Sequence, residues 1–195
     1  MEILDKYLME HGIITNKEAE QLGIKRHVLA NLVKIGELER IKRGVYKKKD
    51  DIEDDFALIS SKNEKVVFSY QTALFLLGLS DRCPNISHIS VSQGYNINHI
   101  KKKYENIKAH YVKKEKFEIG MMDIKTPMGN KVKVYDMERC ICDIVLSREK
   151  IDRPIFIDAI TRYFASEQKN IRRLIKYSRM FAIESEIRKY MEVLE

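Results

Sequence analysis

Apolar residues recur at helical spacing through the first part of the chain, and glycines interrupt them. Residues 2–11 place most of their apolar side chains on one face, which predicts a first helix. Thr15, with Glu18 three residues later, has the capping-box pattern, in which the hydroxyl accepts a backbone N–H and the carboxylate reaches back to the cap. A short second helix is therefore predicted, and Gly23 ends it because glycine tolerates the left-handed conformation.

A third, amphipathic helix is predicted from about Lys25 to Ile35, and Gly36 ends it. Its apolar stripe consists of Val28, Leu29, Leu32 and Val33. Its opposite face carries Arg26, His27, Asn31 and Lys34. Arginine pairs well with guanine edges, asparagine with adenine edges and lysine with phosphate, so this face has the chemistry of a DNA-reading helix.

Two short extended runs follow in the segment LERIKRGVY, and glycine suits the hairpin turn that joins them. Leu38 and Ile41 have opposite parity in the first run, so its register stays open. Tyr46 adds an aromatic ring, for which packing on the domain and contact with DNA are equal alternatives.

A helix, a tight glycine turn, a cationic helix and a basic hairpin in this order predict a winged helix-turn-helix. The alternative is a small helical domain whose basic residues are only solvated, and in that case His27 is merely an exposed histidine. The predicted DNA-binding residues are Lys17, Lys25, Arg26, His27, Asn31, Lys34, Arg40, Lys42, Arg43 and Tyr46.

A switch from basic to acidic residues in KKKDDIEDD, residues 47–55, is typical of a solvated boundary. We predict a DNA-binding domain over residues 1–50 and a second domain over residues 51–195. The second domain begins with a short strand over 66–68 and a helix that Ser69 caps. A half-buried strand around Ile89 and Val91, a helix over 97–104 and a strand over 107–112 follow.

A hairpin is predicted next, with strands over 117–126 and 131–135, and Asp136 then caps a helix. Pro154 suits the first turn of the following helix, with Asp152 as its candidate cap. Two helices, roughly 168–181 and 183–194, close the chain. The predicted fold class is α+β: an N-terminal winged helix-turn-helix followed by a mixed α/β domain that ends in a helical tail.

The net charge of +7 and the isoelectric point near 9.2 favour a polyanionic partner. Positive charge is concentrated in residues 1–50 and 101–150. The second block is either a solvated face or a further nucleic-acid contact, and its main residues are Lys101, Lys102, Lys103, Lys113 and Lys114.

The three cysteines lack zinc-ligand spacing, so we expect reduced, structural thiols and a cytoplasmic location. No signal sequence and no long apolar run are present, which predicts a protein that is neither secreted nor membrane-spanning.

The segment Asp123-Ile124-Lys125 allows one enzymatic alternative, because nucleases place an acidic residue and a lysine in this way to hold a metal ion and position water. Further carboxylates would be needed, with Asp81, Glu105 or Glu118 as loose candidates. No phosphate loop, nucleophile elbow or metal-binding motif is present. We therefore predict no enzymatic activity, no metal site and no cofactor, and we interpret the scattered histidines as ordinary ones.

Four stretches together resemble the AbiE-type antitoxins of bacterial abortive-infection systems, which form the type IV toxin–antitoxin class. They are ITNKEAEQLGI with KRHVLANLVKIGELERIKRGVY, then SYQTALFLLGL, SHISVS and KVKVYDMERCICDIV. Relatives often carry serine at the start of the recognition helix, where Lys25 stands here. Lysine is a poor N-cap but a good phosphate ligand.

The resemblance implies a phage-defence antitoxin that binds double-stranded operator DNA at inverted repeats and represses its own operon. It also implies a neighbouring nucleotidyltransferase-like toxin that is countered without a stable protein complex. Two alternatives use the C-terminal domain differently, as a metal-dependent nuclease or as the ligand-sensing part of a transcription regulator.

Overall fold

The computed structural model describes residues 2–49, 54–61, 63 and 65–194. It divides into two compact units. The N-terminal unit comprises the described residues of 1–62 together with 125–132, and the C-terminal unit comprises those of 63–124 and 133–195. The domain border predicted between residues 50 and 51 lies outside the described residues.

The N-terminal unit combines short helices with a three-stranded antiparallel sheet of order β1-β3-β2. Its elements are α1 (Glu2–His11), β1 (Ile13–Thr15), α2 (Asn16–Gln21), α3 (Arg26–Lys34), β2 (Leu38–Lys42), β3 (Val45–Lys48) and α4 (Asp55–Ser60). The sequence pattern does not predict β1, because three residues are too few to show an alternation.

A single apolar core holds these elements together. Its buried members include Leu4, Leu8, Ile14, Leu29, Leu32, Leu38 and Tyr46. The capping box predicted at α2 is present, because the Glu18 amide donates to the Thr15 hydroxyl at 3.3 Å and the Thr15 amide donates to the Glu18 carboxylate at 2.7 Å.

The parity break in β2 has a structural cause. The pairing of β2 with β3 shifts between Arg40 and Lys42, so Ile41 lies in a β-bulge. A bulge adds one residue to one strand and reverses the facing of the residues that follow it. The alternation of core-facing and solvent-facing positions that holds at Leu38, which is buried, therefore does not continue to Ile41.

The turn formed by residues 125–132 packs entirely within the N-terminal unit. The buried Asp54 carboxylate accepts hydrogen bonds from the Thr126 hydroxyl at 2.5 Å and from the Asn130 amide at 2.9 Å. Asn130 also donates to the His11 carbonyl. Gly129 has a φ of +84°, and a Cβ there would overlap the Glu10 carbonyl oxygen, so only glycine fits.

The C-terminal unit is built on a five-stranded mixed sheet of order β6-β5-β4-β8-β7. Strands β5 and β6 pair in parallel, as do β4 and β8. The strands are β4 (Val67–Phe68), β5 (Ser87–Ser92), β6 (Ile107–Val112), β7 (Met121–Lys125) and β8 (Lys131–Tyr135). The helices are α5 (Tyr70–Leu76), α6 (Asn98–Lys101), α7 (Lys114–Phe117), α8 (Met137–Leu146), α9 (Arg153–Ala165), α10 (Ile171–Met180) and α11 (Glu184–Leu194), with a 3₁₀ turn at Arg148–Lys150.

The predicted helix caps have mixed outcomes. Asp136 caps α8, because its carboxylate accepts the Arg139 amide at 2.8 Å. Ser69 occupies the N-cap position of α5 as predicted, but its hydroxyl caps no amide and accepts a hydrogen bond from the Ser90 hydroxyl at 2.9 Å instead. Asp152 precedes α9 but its side chain caps nothing, whereas Pro154 lies in the first turn as predicted.

Helix α8 carries a buried arginine, which sequence periodicity did not indicate. Arg139 binds Asp143 at 2.9 Å and donates to the carbonyls of Lys116 and Ile119. Its guanidinium carbon lies 4.2 Å from the centroid of the Tyr135 ring. These partners compensate the charge that burial would otherwise penalise.

The cysteines Cys140 and Cys142 are buried and unbridged, and burial raises the pKa of both thiols. Among the described residues, no helix is both long and apolar enough to cross a membrane.

Candidate nucleic-acid interface

Helix α3 presents a polar, cationic face to solvent. Lys25, Arg26, His27, Asn31 and Lys34 are all exposed. Leu29 and Leu32 on the other side are buried in the core of the unit. The apolar stripe therefore fixes the helix on the unit, and the five polar side chains face solvent.

The link between α2 and α3 is a tight turn. Gly23 adopts a φ of +74°, and the Ile24 amide donates to the Ala19 carbonyl at 2.8 Å. Lys25 occupies the N-cap position of α3 and makes no side-chain capping bond. Helix α3 thus begins at Arg26, and no side chain caps its first amides, which suits an anionic partner.

The first residue of α3, Arg26, forms an ion pair with the preceding helix. Arg26 binds Glu20 of α2 at 2.8 Å, and both side chains are more than half exposed. The six-residue spacing spans the glycine turn, so helical periodicity gave no sign of this pair. The pair uses only the Nε of Arg26, so Glu20 competes with a base or a phosphate for that one donor of the guanidinium.

Some of the DNA-binding residues predicted in the hairpin of β2 and β3 are exposed, and others are buried or half-buried. Arg40 and Arg43 are exposed. Lys42 is half-buried, and its ammonium group donates to the Leu58 carbonyl. Tyr46 is buried in the apolar core, so the packing alternative is the one observed. Lys17 of α2 is exposed as well.

The lysines of the second basic block do not form one patch. All five named lysines are exposed. Lys113 and Lys114 follow the carboxyl end of β6, whereas Lys101 lines a 330 Å³ cavity with Ile107 at the amino end of that strand. Six residues of strand separate the two ends by roughly 20 Å. Two separate clusters result.

Two of the carboxylates named for the nuclease alternative have basic partners. Asp123 pairs with Lys133 at 3.6 Å, and Asp81 forms a double hydrogen bond with Arg162. In the part of the chain that the structure describes, no three His, Cys, Asp or Glu side chains are grouped so that they could hold a metal ion.

Two histidines form a contact that sequence reasoning missed. His88 and His110 share a hydrogen bond of 3.1 Å between their ring nitrogens. They stand 22 residues apart, and the parallel register of β5 and β6, which pairs Ser90 with His110, brings them together. That register is not visible in the sequence.

Comparison with known proteins gives a family for the N-terminal segment and a fold for most of the chain. Residues 2–46 match the family model described as "Transcriptional regulator, AbiEi antitoxin". This match confirms the resemblance to AbiE-type antitoxins for that segment and supports a role as an antitoxin or transcriptional regulator.

The fold is similar to that in the crystal structure of the RV2827C protein from Mycobacterium tuberculosis, with a TM-score of 0.55 at 13% sequence identity. The similarity covers 85% of this chain and 66% of that one, so this chain spans slightly less than two thirds of its length. No protein in the curated set matches in sequence.

Proposed function

We propose that this chain, whose residues 2–46 match the AbiEi antitoxin family, is a DNA-binding autorepressor that acts through a winged helix-turn-helix in its N-terminal unit. The observation that carries the proposal is the exposed, cationic face of α3, set between a tight glycine turn and a basic hairpin within the matched segment. This order of elements suits a helix that lies in the major groove and a hairpin beside it.

The side chains of α3 have distinct roles in this proposal. Asn31 is suited to read an adenine edge, and Arg26 a guanine edge once it leaves Glu20. His27 lies on the same exposed face, and Lys25 and Lys34 contact phosphates. A good bidentate base contact is worth about 1–3 kcal/mol of discrimination between bases.

The hairpin contributes mainly through Arg40 and Arg43, which contact the phosphate backbone or the minor groove. Lys42 acts indirectly, because its hydrogen bond to the Leu58 carbonyl ties the hairpin to α4. Tyr46 is buried in the core and is left out of the interface. Lys17 adds one exposed cation on α2.

The antitoxin part of the proposal rests on the description of the matched family. The operon then encodes a nucleotidyltransferase-like toxin, which the chain counters without a stable complex as part of a type IV, abortive-infection defence in the cytoplasm. The operator consists of inverted repeats, so two copies of the chain bind one site. The antitoxin activity belongs to residues 51–195, the proposed second domain. A nucleotidyltransferase-like reading frame beside the gene would support this arrangement.

A gel-shift titration tests DNA binding, with the DNA upstream of the gene compared with scrambled DNA of equal length at several salt concentrations. We expect selective binding that weakens steeply with salt, since phosphate contacts release counterions. Equal, weak binding to both DNAs would contradict the proposal.

Two substitutions on the same face separate base reading from phosphate contact. Asn31→Ala should reduce the preference for the operator over scrambled DNA, because it removes a base contact. Lys34→Ala should weaken binding to both DNAs alike and reduce the salt slope by about 1. An unchanged operator preference in Asn31→Ala would refute the role of Asn31.

A further inference from the structure

A cavity of 210 Å³ in the C-terminal unit has a strongly basic lining. Side chains from α5, β5, β6 and the 3₁₀ turn surround it: Tyr70, Gln71, His88, Lys108, His110 and Lys150. No carboxylate lines this cavity. Among the described residues, neither Lys108 nor Lys150 forms an ion pair with an acidic side chain.

Two ammonium groups that line one cavity without a carboxylate repel each other. An anion bound between them would replace this repulsion with attraction. Elsewhere in this unit the exposed basic residues often have acidic partners, as Arg162 has in Asp81 and Asp158. Lys108 and Lys150 differ from the other exposed lysines of the unit that form no ion pair with a described residue, such as Lys113, because both of them line this cavity.

The histidine pair forms one wall of the cavity and is held firmly in place. Tyr70 stacks on His110 with 3.9 Å between the ring centroids, and its hydroxyl meets the Ser147 hydroxyl at 3.3 Å. Tyr70 has a φ of +48°, a conformation unfavourable for a bulky residue. The backbone amide of His88 donates to the Thr72 hydroxyl at 2.8 Å.

The shared hydrogen bond limits what the two rings can offer to a ligand. When both imidazoles are neutral, one of the two outer nitrogens is a donor and the other an acceptor. When the pair takes up one proton, both outer nitrogens are donors. A bound anion therefore favours the protonated pair, whereas burial and Lys108 lower the pKa of both histidines to about 4 when the cavity holds no anion.

A second cavity of 450 Å³ shares Gln71, His88, Lys108 and Lys150 with the first. Arg82 and Asp152 also line it, so its lining has both charges. A ligand could therefore place an anionic group among the lysines and histidines and extend its remaining, polar part into the larger space.

The geometry points to a binding site for a small ligand that carries a phosphate group, held by Lys108, Lys150 and the protonated His88–His110 pair. A phosphate offers several acceptor oxygens in a tetrahedral arrangement, which matches donors that come from three elements, β5, β6 and the 3₁₀ turn, whereas a carboxylate has only two oxygens in one plane. The inference does not depend on DNA binding, because all of these residues belong to the C-terminal unit.

Sulfate is a suitable first probe, because it is a tetrahedral dianion whose charge does not change between pH 6 and pH 8. Calorimetric titration of the full chain should show that sulfate binds more tightly at pH 6 than at pH 8, by up to about tenfold per pH unit if one proton is taken up. The NMR signals of His88 and His110 should shift on binding, and their pKa values should rise above those of the sulfate-free protein.

Lys108→Ala with Lys150→Ala is the decisive variant, because both lysines are exposed and their removal spares the core. This double variant should lose most of the affinity for sulfate, whereas the matched control Lys113→Ala with Lys114→Ala should retain it. Equal binding in both variants, an affinity that does not change with pH, or unchanged histidine signals would each overturn the proposal.

Inorganic phosphate and ribose 5-phosphate, compared at one pH, distinguish two sources of the same chemistry. Tighter binding of the ester would assign the larger cavity to the organic part of the ligand, and equal binding would assign the site to free phosphate. Failure of both to compete with sulfate would overturn the assignment to phosphate-bearing ligands.

Discussion

Removal of the Glu20 carboxylate should strengthen DNA binding, although Glu20 itself need not touch DNA. In the free protein, Glu20 holds Arg26 through an ion pair of 2.8 Å between exposed side chains. Arg26 must give up that pair before its full guanidinium fork can bind a base or a phosphate. The substitution Glu20→Gln keeps the size of the side chain and its helical preference but removes the charge that competes with DNA.

The size of the gain follows from the exposure of the pair. Exposed ion pairs are worth about 0.2–1 kcal/mol, because solvent and salt screen them. If that free energy no longer has to be given up on binding, the affinity should rise by about 1.4- to 5-fold. The gain should shrink at high salt, since the competing pair is then already weakened.

Fluorescence anisotropy with labelled operator DNA measures this effect, and a double-mutant cycle assigns it. Glu20→Gln is compared with the wild type in two backgrounds, one that contains Arg26 and one with Arg26→Ala. The gain should disappear when Arg26 is absent. Glu192→Gln on α11, which makes the same change in net charge, is the control and should have no effect.

Weaker binding of Glu20→Gln would refute the reasoning, because it would mean that Glu20 positions Arg26 for DNA rather than withholding it. An equal gain in the Arg26→Ala background would assign the effect to general charge repulsion between Glu20 and the phosphates.

Three further predictions concern stability and the second basic block. Asp54→Ala should lower the free energy of unfolding by about 2–4 kcal/mol in denaturant titrations, because it removes the α4 cap and leaves the buried Thr126 hydroxyl without its acceptor. Glu37→Ala, at an exposed position, is the control for this substitution. The pKa values of His88 and His110 are about 4 in the folded protein against 6.5 in the unfolded chain, so the C-terminal unit should lose stability as the pH falls from 6.5 to 4. In unfolding measured at several pH values, His88→Gln with His110→Gln should reduce this dependence of stability on pH. Reversal of charge at Lys101–Lys103 should weaken DNA binding and lower its salt slope if these lysines contact DNA, and an unchanged slope in the gel-shift assay would exclude them.

Local patterns predicted much of the N-terminal unit, because its signals are short-range. The capping box, the glycine that ends α2 and the apolar stripe of α3 each involve residues within one or two helical turns. Where local signals were too short they failed, as at β1 with three residues and α7 with four. The bulge at Ile41 left a trace in the sequence, a break in parity, but only the pairing with β3 explains it.

The C-terminal unit shows what local patterns cannot contain. Helix α8 buries Glu138, Arg139 and Asp143 as well as its apolar residues. Burial of these charges depends on partners up to 35 residues away, such as Arg173 for Glu138. The contact of His88 with His110 likewise depends on the register of two parallel strands. Contacts between residues this far apart in sequence form only when the chain folds, so no local pattern predicts them.

The turn at residues 125–132 has a consequence for the order in which the protein is made. The N-terminal unit leaves the ribosome first, but Asp54 and the His11 carbonyl receive their partners Thr126 and Asn130 only after residue 130 has been synthesised. At about 5–20 residues per second, the 70 residues from 62 to 132 take roughly 4–14 s. During that interval Asp54 keeps its bond to the Ala57 amide but lacks Thr126 and Asn130, so a transcript truncated before this turn would encode the matched family segment without the contacts that residues 125–132 supply.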